Sequence, residues 1–213
     1  MTQRWQALSY QAARVRALGK RRGGTWVRAR IWDWEFKAGR WDFLQHTEND
    51  SFYALMVAKL DGGRLLDLGC GSGTVRCELP PESMSRYVGV DISAEAIRQA
   101  EQRTSSLAGL PEGQLFVAGS IADPVVLSGV GNDFDVILMR ESLYYVEVDT
   151  VPRFLAGLGE LLSPRGVVLI RIHDRERYSA HVEATRHALH VLEEQTALDG
   201  KSIFIVATRP ESP

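Results

Sequence analysis

The residues with the clearest chemical meaning lie between positions 67 and 73. A short apolar run contains Asp67, ends at Leu68, and is followed by Gly69, Gly71 and Gly73. Glycines permit the backbone angles of a tight strand-to-helix turn and let a ligand approach the main chain closely. Amide groups at the start of the next helix favour an anionic ligand group. The pattern therefore predicts a ligand-binding turn, although a tight turn of any α/β domain is the alternative interpretation.

A second chemical signal is Asp91, which ends the next apolar run, 22 residues after Gly69. In nucleotide-binding sheets, an acid about 20 residues beyond the glycine loop is placed to bond both ribose hydroxyls. Capping of the next helix is the alternative role, but Ser93 is the better N-cap. The Gly-x-Gly-x-Gly spacing also differs from the Gly-x-Gly-x-x-Gly of dinucleotide enzymes, which argues against a nicotinamide-dependent oxidoreductase.

The elements that must position these residues alternate between strand and helix. We predict strands at 64–68, 86–91, 115–118, 134–139, 167–172, 186–194 and 202–208. Helices are predicted at 3–18, 51–60, 73–79, 94–107, 151–162 and near 175–184, whereas residues 25–47 show no clear periodicity. This order predicts a three-layer, doubly wound α/β fold, with a mostly parallel sheet that ends in a C-terminal antiparallel hairpin.

Composition is that of a globular chain. Its 213 residues are 45% hydrophobic and 24% charged, with a net charge of -2, which excludes disordered and fibrous classes. No apolar run reaches the roughly 20 residues of a membrane helix. The only cysteines, Cys70 and Cys77, are expected about 10 Å apart, too far for a disulfide. Reduced thiols and the lack of a secretory signal predict a cytoplasmic location.

Charge and tryptophan are concentrated in the first 47 residues. Residues 1–40 contain ten Lys and Arg but only Asp33 and Glu35, so they carry +8 and the remainder carries -10. All five tryptophans precede residue 42. We divide the chain into a basic, Trp-rich segment, 1–47, forming a helix and a lid, and a ligand-binding domain, 48–213. The segment could attract an anionic substrate, an acidic carrier protein, RNA or a membrane surface, or be a transit peptide. Docking on the acidic remainder is the use we favour.

From about Asp50 to Arg209 the chain resembles class I S-adenosylmethionine (SAM) methyltransferases, in particular bacterial small-molecule and saccharide methyltransferases. The motifs that carry the resemblance are the glycine loop, Tyr87–Ser93, Phe134–Ile137 and Leu162–Leu169. The closing antiparallel hairpin separates this family from dinucleotide-binding folds. The resemblance implies SAM as the cofactor and S-adenosyl-L-homocysteine as its product.

The resemblance also implies a role for each strand end at the cofactor. Asp67 would hold the amino group of the methionine part, Asp91 the ribose, and Ile92 would pack on adenine. Ser120 stands where the family often has an acid, so its hydroxyl or the backbone of Ile121 would bond adenine. The implied cofactor-binding residues are Asp67, Gly69, Gly71, Gly73, Asp91, Ile92, Ser120, Ile121 and Met139.

Methyl transfer requires alignment of acceptor, methyl group and sulfur, and a hydroxyl or amine acceptor can require a base. His173 is the first candidate base because an unperturbed imidazole titrates near neutrality, and Glu141 is the second. A histidine bonded to solvent or backbone, and an ion pair of Glu141 with Arg140 or another arginine, are the alternatives. The residues predicted to line the acceptor pocket, with packing as their alternative role, are Tyr144, Tyr145, Trp32 and Trp41.

No metal is expected. His187 and His190 lie on a predicted strand, where their odd separation would point them to opposite faces.

The predicted function is methyl transfer to an oxygen or nitrogen atom of a small molecule, such as a saccharide or an aromatic compound. Alternatives are a SAM-binding protein of this fold without methyl transfer, acting as a cyclase or partner subunit, and an RNA methyltransferase. Residues 140–143 lack the Asn/Asp-Pro-Pro-Tyr/Phe signature of amino-methylating DNA enzymes, which argues against nucleic acid. The tryptophans could instead form a homodimer contact.

Overall fold

The computed structural model describes residues 18–20, 23–45, 51–107 and 113–210. Most of the helix predicted over 3–18 lies outside these residues. None of the described helices combines the length and apolarity needed to cross a bilayer.

Seven strands and seven helices alternate along the described chain. The strands are β1 (Gly62–Leu68), β2 (Met84–Asp91), β3 (Leu115–Ala118), β4 (Phe134–Arg140), β5 (Leu162–Ile172), β6 (His190–Thr196) and β7 (Ile203–Thr208). The helices are α1 (Thr25–Lys37), α2 (Ser51–Leu60), α3 (Thr74–Glu78), α4 (Ala94–Thr104), α5 (Pro124–Gly129), α6 (Val151–Leu158) and α7 (Ser179–Ala188).

The seven strands form one sheet in the order β3-β2-β1-β4-β5-β7-β6. Strands β1 to β5 pair in parallel, and β7 runs antiparallel to both β5 and β6. The predicted mostly parallel sheet with an antiparallel C-terminal hairpin is therefore confirmed. Because β1 leads to β2 on one side and β4 leads to β5 on the other, the carboxyl ends of β1 and β4 flank a crevice. Open α/β sheets bind ligands at such a crevice.

Both faces of the sheet are buried, which is why the central strands are almost entirely apolar. On one face, Leu65 of β1 packs in a cluster with Phe52 and Met56 of α2. On the other face, the next residue, Leu66, packs in a cluster with Leu155 of α6 and Val182 of α7. Alternate side chains of one strand thus enter different cores, and the sheet is the middle of three layers.

The segment 25–47 contains a helix, α1, that its sequence did not indicate. Its inner side buries Glu35 and Phe36, while Trp26 and Trp34 on its outer side are 74% and 46% exposed. Aromatic residues on both sides remove the apolar periodicity by which helices are predicted.

The strand predicted at 186–194 is wrong at its start, because residues 186–188 end helix α7. Val182, Thr185 and Ala188 recur at helical spacing and are buried against the sheet. His187 is therefore in a helix and His190 begins β6, so the geometric reason for rejecting them as a metal pair is also wrong. Across the described ranges, no group of three or more His, Cys, Asp and Glu residues is arranged to hold a metal ion.

Candidate functional site

The loop between β1 and α3 has a backbone conformation that favours glycine at three positions. Gly69, Gly71 and Gly73 have φ angles of 89°, 54° and 74°, in the region that side chains disfavour. A Cβ atom on Gly69 would lie 2.5 Å from the Cβ of Ser142, and one on Gly73 would lie 3.0 Å from the Cβ of Ala100. The amides of Gly69 and Cys70 donate to the carbonyl of Val90 at 2.7 and 3.1 Å. The loop is therefore held against β2, and its last glycine lets α3 and α4 approach each other.

Replacing Gly69 with alanine should destabilise the protein by about 3 kcal/mol, through the left-handed backbone and the collision with Ser142. Urea denaturation measures the effect. Gly157→Ala is the matched control, because nothing lies within 4 Å of the added methyl group on α6. That control should be neutral or stabilise by up to about 1 kcal/mol. Equal stability of the two variants would contradict the geometry described for the loop.

Asp91 connects the glycine loop to the next helix. Its Oδ2 accepts a hydrogen bond from the Gly71 amide at 2.9 Å, and its Oδ1 accepts one from the Ser93 amide at 2.8 Å. Burial raises the pKa of Asp91 to about 6, although these two amide bonds oppose the shift. The N-cap of α4 is Ser93, whose Oγ accepts from the amide of Ala96. Each Asp91 oxygen retains a lone pair for a ligand hydroxyl.

Three of the predicted cofactor residues do not line the cavity in which the other six are found. Asp67 is 1% exposed, and its Oδ2 accepts a hydrogen bond from the Tyr87 hydroxyl at 2.9 Å. Met139 is fully buried in the hydrophobic core, and Gly73 packs against α4. In the described structure these three residues are packed against other parts of the protein. Their contact with SAM stays a prediction.

Burial raises the pKa of Asp67 to about 7, partly offset by the bond from Tyr87. In the unfolded chain the carboxyl titrates near 3.9, so between these pH values the native state binds more protons. The free energy of unfolding should therefore fall as the pH rises from about 4 to about 7. Asp67→Asn should make this decline shallower and stabilise the protein by about 2 kcal/mol at pH 8. Denaturation at several pH values tests this, and parallel pH profiles for the two proteins would contradict it.

A cavity of about 230 Å³ lies at the carboxyl ends of the strands, under helix α1. Six of the predicted cofactor residues line it: Gly69, Gly71, Asp91, Ile92, Ser120 and Ile121. Glu141 and the four predicted acceptor residues also line it: Trp32, Trp41, Tyr144 and Tyr145. Arg28, Phe36, Arg140 and Ser142 also line it. The two sets of residues, proposed for different ligands, thus meet in one cleft.

Glu141 is the centre of a polar network at one wall of this cleft. Its Oε1 lies 2.5 Å from Nη1 of Arg171. Its Oε2 lies 2.8 Å from Nδ1 of His173, and also accepts from the Tyr144 hydroxyl at 3.2 Å. The predicted alternative of an arginine ion pair is therefore present, with Arg171 as the partner. Because an ionised carboxylate can only accept, Nδ1 of His173 donates, and Nε2 is left as the basic nitrogen.

Tyrosine rings fix the position of this network. Tyr144 stacks on Tyr178 with ring centres 4.2 Å apart and planes 12° apart, and the His173 ring meets Tyr144 edge-on at 5.5 Å. Burial raises the pKa of the Tyr144 and Tyr145 phenols. Both phenols therefore stay protonated and act as donors or walls, not as bases. The sequence contained no sign of Tyr178 or Arg171, because each contacts the network across about 30 residues of chain.

Two side chains of helix α1, Asp33 and Arg28, form hydrogen bonds to the rest of the chain next to the cleft. Asp33 accepts from the Ser93 hydroxyl at 2.8 Å and from the Glu95 amide at 3.1 Å, next to the N-cap of α4. Nη1 of Arg28 donates to the carbonyl of Tyr145 at 3.3 Å. The described part of the segment therefore contacts the rest of the chain, but none of these three bonds pairs one of its cations with an acid, so docking of the basic segment 1–47 on the acidic remainder stays a prediction.

A buried ion pair holds the tryptophans of the lid. Nζ of Lys20 lies 2.5 Å from Oε2 of Glu35, which also accepts from the Trp41 indole at 3.0 Å. The same ammonium lies 3.5 Å from the centre of the Trp32 ring. Trp32 in turn meets Tyr145 edge-on at 5.1 Å. These contacts fix Trp32 and Trp41, the two lid tryptophans that line the cleft.

The sheet order, the glycine loop with Asp91, and the cleft at the strand ends define a class I SAM-dependent methyltransferase domain. Residues 33–199 match the model of a methyltransferase domain family, and the chain belongs to that family. SAM is accordingly its cofactor, as the sequence predicted.

Similar proteins of known sequence or structure include methyltransferases. The chain is 30% identical over 115 residues to the ubiquinone biosynthesis O-methyltransferase of Mesorhizobium japonicum. The matched region is 54% of this chain and 43% of that protein. A TehB-like SAM-dependent methyltransferase from Corynebacterium glutamicum superposes with a TM-score of 0.63 at 21% identity, covering 83% of this chain and 97% of that chain. The N-methyltransferase NodS from Bradyrhizobium japonicum WM9, in complex with S-adenosyl-L-homocysteine, gives 0.58 at 18% identity, covering 77% and 88%. At these identities the two structures show the fold alone, and the chain spans about half the length of the curated relatives it matches.

Proposed function

We propose that this protein transfers the methyl group of SAM to an oxygen or nitrogen atom of a small-molecule acceptor. The observation that carries the proposal is the His173–Glu141–Arg171 network: Glu141 lines an aromatic cleft shared with the predicted cofactor residues, and His173 and Arg171 are bonded to Glu141 without lining the cleft themselves. The division into a lid segment, 1–47, and a SAM-binding domain, 48–213, and a cytoplasmic location belong to the same proposal.

The cleft offers suitable groups for each part of SAM. Asp91 would accept from the ribose hydroxyls, and Ile92 would pack on adenine. Ser120 presents a hydroxyl, and Ile121 a backbone, where adenine would lie. The backbone at Gly71 faces the cleft, and a Cβ there would lie 3.5 Å from the Phe36 ring. When bound, SAM supplies an electrophilic methyl group.

The protein's own residues would orient the acceptor and take its proton. Nε2 of His173 would accept the proton of an acceptor hydroxyl or amine, while Nδ1 continues to donate to Glu141. Glu141 would stabilise the imidazolium that results, and the ion pair with Arg171 would hold the Glu141 carboxylate in position. Trp32, Trp41 and Tyr145 offer ring faces and edges for an aromatic or sugar ring. The lid excludes water from the reacting atoms.

The names of similar proteins support an O or N acceptor without choosing between them. One relative is named as an O-methyltransferase and one structural neighbour as an N-methyltransferase. The acceptor of this chain must therefore be identified by experiment.

The test is an assay with methyl-labelled SAM against phenols, saccharides, amines and RNA, with mass spectrometry of the product. We expect one small-molecule class to be methylated, with one S-adenosylhomocysteine formed per methyl group. SAM binding without any methylated product would favour a partner subunit or cyclase. RNA methylation that weakens steeply with salt would favour the RNA alternative.

A further inference from the structure

The outer face of helix α1 carries two tryptophans and two cations in alternation. Trp26, Arg30, Trp34 and Lys37 are spaced so that they share one side of the helix, and all four are exposed. Trp26 is 74% and Trp34 46% accessible to solvent. We call these four residues the outer face of α1. Large apolar rings on a solvent-exposed helix face mark a surface that binds another body.

The two acids of α1 make their hydrogen bonds and ion pair away from this face, although Asp33, three residues after Arg30 and four before Lys37, lies at its edge. Asp33 bonds to Ser93 and Glu95 at the start of α4. Glu35 is 7% exposed and pairs with Lys20. The outer face therefore presents indole rings and positive charge, without a carboxylate from its own helix.

We propose that the outer face of α1 binds the surface of an anionic lipid bilayer. Indoles enter the headgroup region of a bilayer and Lys and Arg side chains bind its lipid phosphates, so a face that alternates the two fits the membrane interface. The charge of the chain orients this contact. Residues 1–40 carry +8 and the remainder -10, so an anionic surface attracts α1 and repels the rest.

Two other partners fit this face less well. A symmetric contact between two copies would collect four cations, Arg30 and Lys37 of each copy, in one interface, where they repel one another. Single-stranded RNA stacks its bases on aromatic faces, but the guanidinium of Arg40 lies over the Trp34 ring, 4.7 Å from its centre.

Binding in this orientation has a consequence for the acceptor, which rests on the proposed function. The inner side of the same helix places Trp32 and Phe36 in the cleft. The cleft would then lie one helix diameter, about 10 Å, from the bilayer surface, and the acceptor class it would receive is an amphiphile with an aromatic or hydroxylated head and an apolar tail.

The test is flotation of the full chain with vesicles of phosphatidylcholine alone and of phosphatidylcholine containing phosphatidylglycerol. We expect binding only to the anionic vesicles, with loss on raising the salt. Trp26→Ser/Trp34→Ser and Arg30→Glu/Lys37→Glu should each lower the bound fraction at least about tenfold, with SAM affinity unchanged. Leu198→Ser is the control, because Leu198 is an even more exposed apolar residue that lies in the turn between β6 and β7. That control should bind as the wild type does.

The proposal is overturned if both vesicle types bind equally, if neither binds, or if the tryptophan variant binds as strongly as the wild type. Self-association that the charge-reversed variant alters would assign the face to a second copy. RNA binding lost in the same variants, without vesicle binding, would assign it to nucleic acid. Because no acceptor is present, failure here leaves methyl transfer to small molecules untouched.

Discussion

Asp91→Ala should raise the dissociation constant for SAM by at least about 100-fold while leaving the fold intact. The variant removes a charged acceptor for the ribose hydroxyls, and hydrogen bonds to charged groups contribute about 1.5–3 kcal/mol each. It also removes the acceptor that holds the amide of Gly71. Isothermal titration calorimetry measures the affinity, and circular dichroism checks the fold.

Asp199→Ala is the matched control for that substitution. Asp199 also accepts hydrogen bonds from two backbone amides, those of Lys201 and Ser202, but it lies in the hairpin turn far along the chain. Its loss should leave SAM affinity within about twofold of the wild type. An Asp91→Ala protein that binds SAM normally would remove Asp91 from the cofactor site.

The same carboxyl gives the wild type a pH dependence. Burial raises the pKa of Asp91 to about 6, and the ribose hydroxyls require the ionised form. Affinity for SAM should therefore fall as the pH drops through about 6 and be full well above it. Asp91→Asn cannot titrate there, so its weaker affinity should lose this component of the pH dependence.

His173→Ala should lower turnover about 100-fold, because a positioned general base contributes 10²–10⁴-fold to a proton transfer. The dissociation constant of SAM should not change, since His173 does not line the cavity beside the predicted cofactor residues. The His173 side chain is 46% exposed, so its loss should leave the fold stable. Turnover is measured with saturating labelled SAM and the acceptor identified by the assay above.

Two further variants separate a base from a merely structural histidine. Imidazole added to the His173→Ala protein should restore part of the turnover, which a packing role would not allow. His187→Ala, at the exposed end of α7, is the matched control and should keep full activity. Full activity of His173→Ala would show that the acceptor needs no base from this residue.

Much of the fold could be predicted from local patterns. The three glycines have positive φ angles, a conformation that glycine adopts because it has no side chain. The apolar runs of the strands reflect burial on both faces of the sheet. Even the spacing between Gly69 and Asp91 is set locally, because β1 and β2 are adjacent and parallel, with Leu68 beside Val90. These features are encoded within about 30 residues of chain, so periodicity and turn chemistry were sufficient to find them.

The polar network around Glu141 could be predicted only in part, because its contacts are not local. His173 and Glu141 were singled out separately, as alternative bases. Strands β4 and β5 pair Arg140 with Arg171, and this register brings Glu141 to both Arg171 and His173. The sequence could not show that the two candidates form one hydrogen-bonded pair.

By itself, then, the sequence determined the methyl donor: the glycine loop, Asp91 and the strand order specify SAM. Only the tertiary structure decided which residues form the cleft proposed for the acceptor. Helix α1 could not be predicted from the sequence because it has aromatic residues on both sides. One side lines the cleft and the other side is exposed. Its position depends on Asp33 meeting the start of α4, some 60 residues away. Such a contact leaves no periodic trace in the sequence, since it is made by single side chains across the folded molecule.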